Sequence, residues 1–243
     1  MDSSKSSNKT KISRYVKENK KISKGFANII DIVESLVYAI AVVVFVFLFI
    51  GRLSIVDGKS MNNTLSDKDY LFVSNPFFTY NPANGDIVVI SGKFGNVAVF
   101  DEYGNQQTIR PYDKPLVKRV IATGNQQVVV NFKDNTVTID GIVYNEDYAY
   151  YLDRNGNPLS EEIKLLAINA KYSNHNFPKG MEYDASTYTL SMTVPEGHIF
   201  AMGDNRLNSS DSREAEIGFI RNGYVVGKVV FRLLPFNKVG GVQ

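Results

Sequence analysis

Residues 35–50, SLVYAIAVVVFVFLFI, carry no charge at all, and this run restricts what the chain can become more than any other feature. A helix packed on a soluble core is apolar along one stripe, whereas this run is apolar on every face. Its 16 residues fall short of the roughly 20 needed to cross a bilayer. Extending the helix back to Phe26 supplies the length and leaves Asp31 and Glu34 at headgroup level. Upstream, residues 1–26 hold eight basic side chains against Asp2 and Glu18. Basic flanks stay on the cytoplasmic side. The segment 27–51 therefore reads as an uncleaved anchor, with the tail 1–26 inside the cell and residues 52–243 outside. A cleavable signal peptide fits less well, because the basic lead-in is long and residues 51–57, GRLSIVD, offer no small-x-small site.

Outside the tail the balance reverses, to nineteen basic and twenty-three acidic residues. Nucleic-acid binders carry positive charge on the folded body, so that class is excluded. With 0 Cys and only two His among 243 residues, thiolate metal sites, cysteine nucleophiles and histidine-rich metal centres are excluded too. No metal and no cofactor is expected.

Beyond Arg52 the pattern is of short β-branched and aromatic runs, at 70–74, 86–90, 117–122, 127–130, 136–139, 187–194, 198–202 and 224–234. Runs of this length, separated by Gly, Asn, Asp and Pro, predict a mostly β fold with an antiparallel sheet or partial barrel at its core. Asp140 and Gly141 form a hairpin signal between 136–139 and 142–144. Helical spacing is visible only near 161–170. Residues 145–186 are polar and rich in Tyr and Asn. They predict an inserted cap, without a large apolar centre of its own, between two parts of the core at 52–144 and 187–243.

The chemistry narrows by elimination. The sequence has no HExxH, no GxSxG elbow and no Gly-rich phosphate loop. His198 lies in a predicted strand and reads as structural, while His175 lies in a polar loop without an assigned role. Ser60 sits in DGKSMNNTL (57–65), a turn between two apolar strands, and Lys118 sits in PLVKRVIA (115–122). In extended backbone Lys118 shares a face with Leu116, Val120 and Ala122. Among such neighbours a lysine loses hydration of its charged form and its pKa falls. Once neutral near pH 7 to 8, its amine can take the proton of a serine hydroxyl. Arg119, flanked by Val117 and Ile121, cannot serve as a base. Periodicity alone leaves open that Lys118 is an ordinary edge-strand lysine. A third segment, 202–213, MGDNRLNSSDSR, is either a solvated turn or a buried network. In the second case Asp204, Asn205 and Asp211 would accept from Arg206, Arg213 and Arg119.

Taken together, these segments resemble the bacterial type I signal peptidases, over nearly the whole chain. SMNNTL (60–65) resembles the family's nucleophile box, NGDIVV (84–89) its second strand box, KRVI (118–121) its general-base box and MGDNRLNSSDSR (202–213) its last box. The resemblance implies a membrane-anchored serine endopeptidase of the bacterial cytoplasmic membrane, monomeric, that cuts signal peptides from exported preproteins. Ser60 would be the nucleophile and Lys118 the base, with the Ser60 backbone N–H in the oxyanion hole. Ser209 would orient Lys118, while Asp204, Asp211, Arg213 and Arg119 would brace the site. Val56, Met61 and Val117 would line pockets for small residues at the first and third positions before the cut. The bilayer and preprotein signal peptides would be its partners. A runner-up is a non-catalytic relative that binds extended peptides during export or pilus assembly. Asn63 stands where the family usually has Pro, an exchange that relaxes the unfolded turn at a cost of about 0.4–1 kcal/mol. Gly58 replaces the hydroxyl residue some members use as a second oxyanion donor. Ala122 and Gly124-Asn125 depart from the usual Gly and Gly-Asp.

Overall fold

The computed structural model describes residue 14 and residues 28–74, 81–92, 96–100, 106–111, 114–153 and 155–242. Two compact units divide at Ile50. In the first, helix α1 (Asn28–Phe45) leaves every side chain exposed along its 18 residues and ends in a π-helical turn, Val46–Ile50. A rise of 1.5 Å per residue makes α1 about 27 Å long, close to the thickness of a bilayer's hydrocarbon.

The second unit is mostly β. Its strands are β1 (Gly51–Ile55), β2 (Tyr70–Ser74), β3 (Ile87–Ile90), β4 (Asn96–Phe100), β5 (Gln106–Pro111), β6 (Leu116–Thr123), β7 (Gln127–Asn131), β8 (Thr136–Ile139) and β9 (Ile142–Asn145). After helix α2 (Glu161–Tyr172) come β10 (Met181–Asp184), β11 (Thr189–Thr193), β12 (His198–Met202), β13 (Ile220–Arg221), β14 (Val225–Leu234) and β15 (Gly240–Gly241). The larger sheet runs β1-β2-β14-β3-β6-β12-β13, with β15 on β14, and the smaller runs β10-β11-β7-β8-β9. β4 and β5 form a separate hairpin. All these ladders are antiparallel.

Each predicted run is a strand, and the helical spacing at 161–170 is α2. The structure adds β1, β4, β5, β10 and the two-residue β13 and β15 to the predicted runs. β10 is only four residues, MEYD, and β5 reads QQTIRP, so neither shows the alternation that marks a half-buried strand. At the β8–β9 turn Asp140 and Gly141 have φ of 51° and 84°. That is the left-handed pair a two-residue hairpin needs to match strand twist.

Two features of the core position the site. β6 lies between β3 and β12, so Lys118 and Arg119 sit on a central strand and not on an edge. Residues 145–186 supply α2 and β10. Lys164, Ile168 and Tyr172 are the buried stripe of α2, four residues apart on one helix face. Ile168 and Tyr172 join Phe132, Leu190, Phe200 and Met202 in the largest apolar cluster. α2 is thus packed into the same core as the strands that carry the site.

Candidate active site

Ser60 is held on the loop between β1 and β2. Val56, Met61 and Leu65 sink into an apolar cluster with Leu71, Val73 and Val229, which fixes the loop from below. The Val56 N–H donates to Asp69 O at 2.9 Å and the Lys68 N–H to Val56 O at 2.9 Å, closing its base. From above, the Asn205 backbone N–H donates to the Ser60 carbonyl at 3.0 Å and its side-chain amide to the Lys59 carbonyl at 3.2 Å. Arg232, from β14, donates to the Thr64 carbonyl at 3.2 Å and to Asp69 at 2.9 Å. Nothing among the described residues accepts the Ser60 backbone N–H, whereas the Gly58 N–H is taken by Asp67 Oδ1 at 2.8 Å.

Against this loop stands Lys118, 2 % exposed, with its Nζ 2.6 Å from Ser60 Oγ. Burial lowers its pKa from 10.5 to about 8, opposed by the Asp211 and Asp204 carboxylates and assisted by the Arg213 guanidinium. Both groups open on a cleft of about 460 Å³, lined also by Val56, Met61, Leu116 and Val117. Val56 and Met61 are buried parts of the core, and Val117 is partly buried against it.

The segment 202–213 is a buried network. Arg119 donates twice to Asp204, at 2.9 and 2.8 Å, and Asp204 also accepts the Thr64 hydroxyl at 2.5 Å. Arg213 donates twice to Asp211, at 2.7 and 2.6 Å, and Asp211 accepts the Gly203 N–H at 3.0 Å. These planar, two-bond pairs fix orientation as well as charge. Two details differ from expectation. The Asn205 side-chain oxygen accepts from no arginine, and the amide instead donates to the Ser60 loop, at the Lys59 carbonyl. Arg206 pairs with Glu146, at 2.5 and 2.7 Å, a residue without a local sequence signal. Glu146 also accepts the Tyr148 hydroxyl at 3.0 Å, and the Tyr148 ring lies 4.0 Å beneath the Arg119 guanidinium, so the pair is continuous with the rest of the network.

Ser209 does not meet its expectation in this conformation. Its Oγ is buried without a hydrogen-bond partner. The hydroxyl is turned toward Gly203, where an added Cβ would collide with it, and no bond to Lys118 forms. His175, unassigned from sequence, lies with Nε2 3.0 Å from the Arg213 carbonyl. His198 turns back on its own strand entry, Nδ1 2.8 Å from Glu196 O.

Asn63 has φ 39°, in a region asparagine tolerates and proline, with φ fixed near −65°, cannot enter. The turn is built for the residue present. Asn63→Pro is therefore expected to destabilise the protein by about 1–3 kcal/mol instead of recovering stability. Denaturant unfolding of the two proteins measures this, and a stabilised variant would refute it.

The sequence matches the family described as signal peptidase, peptidase S26, over residues 29–234. It is 30% identical over 209 residues to a signal peptidase I of Bacillus licheniformis, covering 85% of this chain and 89% of that one. It is 30% identical over 207 residues to signal peptidase I T of Bacillus subtilis, covering 85% and 86%. A crystal structure of a signal peptidase I from Enterococcus faecalis aligns at 25% identity over 63% of this chain and 100% of that one. Its TM-score of 0.33 is too loose a superposition to add to the sequence match.

Proposed function

The chain belongs to the signal peptidase family, peptidase S26, and is a serine endopeptidase that removes signal peptides; from that premise we propose that Ser60 is its nucleophile and Lys118 its general base. The 2.6 Å approach of Lys118 Nζ to Ser60 Oγ carries the reading, because that distance is within reach of direct proton transfer. The neutral amine takes the hydroxyl proton as Oγ attacks the scissile carbonyl. The unengaged Ser60 N–H supports the oxyanion. The ammonium then protonates the departing amine, and water, activated by the same lysine, releases the acyl group.

Asp211, Arg213 and Asp204, none of which lines the cleft, set the charge around the base. Val56, Met61 and Val117 shape the cleft for small side chains at the first and third positions before the cut. Anchored by α1 in the cytoplasmic membrane, with the tail inside, the body meets preproteins on the outer side. Every group named comes from one chain, so a monomer suffices. An accessory protein that only binds peptides would have no use for a dehydrated amine against a hydroxyl.

Activity follows the neutral amine. kcat/KM for a preprotein with a small-x-small site is expected to rise with pH, with a midpoint near the lysine's pKa of about 8. With chemistry rate-limiting, a profile flat from about pH 5 to 9 would remove Lys118 from the role of base.

A further inference from the structure

The end of α2 reaches the loop that carries Asp211 and Arg213. Tyr172, 2 % exposed, accepts a hydrogen bond from Arg213 Nη1 through its hydroxyl, and its ring stacks on Phe132 with centroids 5.0 Å apart. Beside it, Lys171 Nζ donates to the Leu207 carbonyl at 3.3 Å and lies 3.8 Å from Glu214. His175, three residues on, faces the Arg213 carbonyl and lies 3.6 Å from Glu214. The loop is therefore clamped from the region 145–186, which lacks any residue of the proposed dyad.

Arg213 commits Nε and Nη2 to Asp211 and Nη1 to Tyr172. A guanidinium donates from a rigid fork, so a third acceptor on the far side leaves it one orientation. We propose that the Tyr172 hydroxyl is a positioning group for the reaction, holding Arg213 against Asp211 and so setting the charge that faces Lys118. Without it, Nη1 loses its acceptor, and the guanidinium, still paired with Asp211, is no longer pinned in one orientation. Its charge then offsets the carboxylate less well and sits less favourably toward the amine. Both changes favour the ammonium and oppose the base. The groups facing Arg213 are Asp211 and Arg206 from its own loop region, Glu214 beside it, and Tyr172, Lys171 and His175 from α2 and its end. Those facing Lys118 are Asp211, Arg213 and Asp204.

The positioning role of Tyr172 rests on Lys118 being the base. Tyr172→Phe keeps the ring and removes only the acceptor. Its kcat/KM profile is expected to move upward by about half a pH unit, with kcat at pH 7 down about threefold and KM unchanged. Leu190→Ala hollows the same apolar cluster without touching the loop, and is expected to lower Tm while leaving the midpoint in place. His175→Ala, which removes a second hold on Arg213, should shift the midpoint in the same direction. It decides the matter if Tyr172→Phe does not fold. A midpoint coinciding with the wild type in the folded variant overturns the positioning role. If instead Lys118→Ala still cleaves, it is the dyad that fails.

Discussion

Lys118→Met is expected to lower kcat/KM by roughly four orders of magnitude or more and, at the same time, to make the protein more stable at pH 6 by about 1–3 kcal/mol. The loss follows from the proposed role of Lys118 as the base for Ser60. The gain follows from burial, because below pH 8 the folded protein keeps an ammonium out of water that the unfolded chain would hydrate. Asp211 and Asp204 each keep an arginine partner, so an apolar side chain there strands no carboxylate. Linkage fixes the sign. With its folded pKa near 8, against 10.5, this lysine binds fewer protons in the folded state between those values, so wild-type stability rises across that window. The variant should lose that slope. Lys118→Arg should be as inactive as Lys118→Met, since a guanidinium cannot give up its proton, and Ser60→Ala should match both. Cleavage assays and denaturant unfolding at pH 6 and pH 10 test the set. A Lys118→Met protein that still cuts, or that is less stable than wild type at pH 6, contradicts the buried-base account.

Gly203→Ala should be nearly as damaging through geometry alone. A Cβ built on Gly203 would stand 2.5 Å from the Ser60 carbonyl oxygen and closer still to Ser209 Oγ. No rotamer change relieves a clash with backbone, so the loop that carries Ser60 must move. A displacement of about 1 Å at a reacting atom costs on the order of a hundredfold in rate. The Asp211 bond to the Gly203 N–H opposes the relaxation from the other side. kcat for a preprotein substrate is expected to fall by about that factor, with Tm lowered by a few degrees. Wild-type kcat in this variant would show that the loop and Gly203 can separate freely.

Much of the fold is legible in the residues themselves. The short β-branched and aromatic runs locate the core strands, because each buries at least one face, whereas elimination leaves Ser60 and Lys118 as candidates only and the resemblance to the signal peptidases pairs them. The edge between legible and illegible runs through particular residues. Glu146 closes the Arg206 pair from 60 positions away, and a single acid in a polar stretch has no pattern to betray it. Tyr172 reads as one more aromatic on a short helix, since only the fold brings it to Arg213. Resemblance assigns Ser209 to the lysine, yet its hydroxyl turns into the space that Gly203, lacking a side chain, leaves open. The backbone at Asn63 can be mistaken for a weakened proline turn because sequence carries no dihedral angles. Local periodicity reports burial, whereas partners at long range are chosen by tertiary packing.

Three arginine–carboxylate pairs near the site, Arg119–Asp204, Arg213–Asp211 and Arg206–Glu146, have at most 4 % of any side chain exposed. Dissolved ions weaken interactions between charges that water can surround, and reach such enclosed pairs far less. The field at the Lys118 amine therefore belongs to the protein and not to its bathing medium. An enzyme built on such enclosed pairs would keep its chemical step steady as the salinity around it changes.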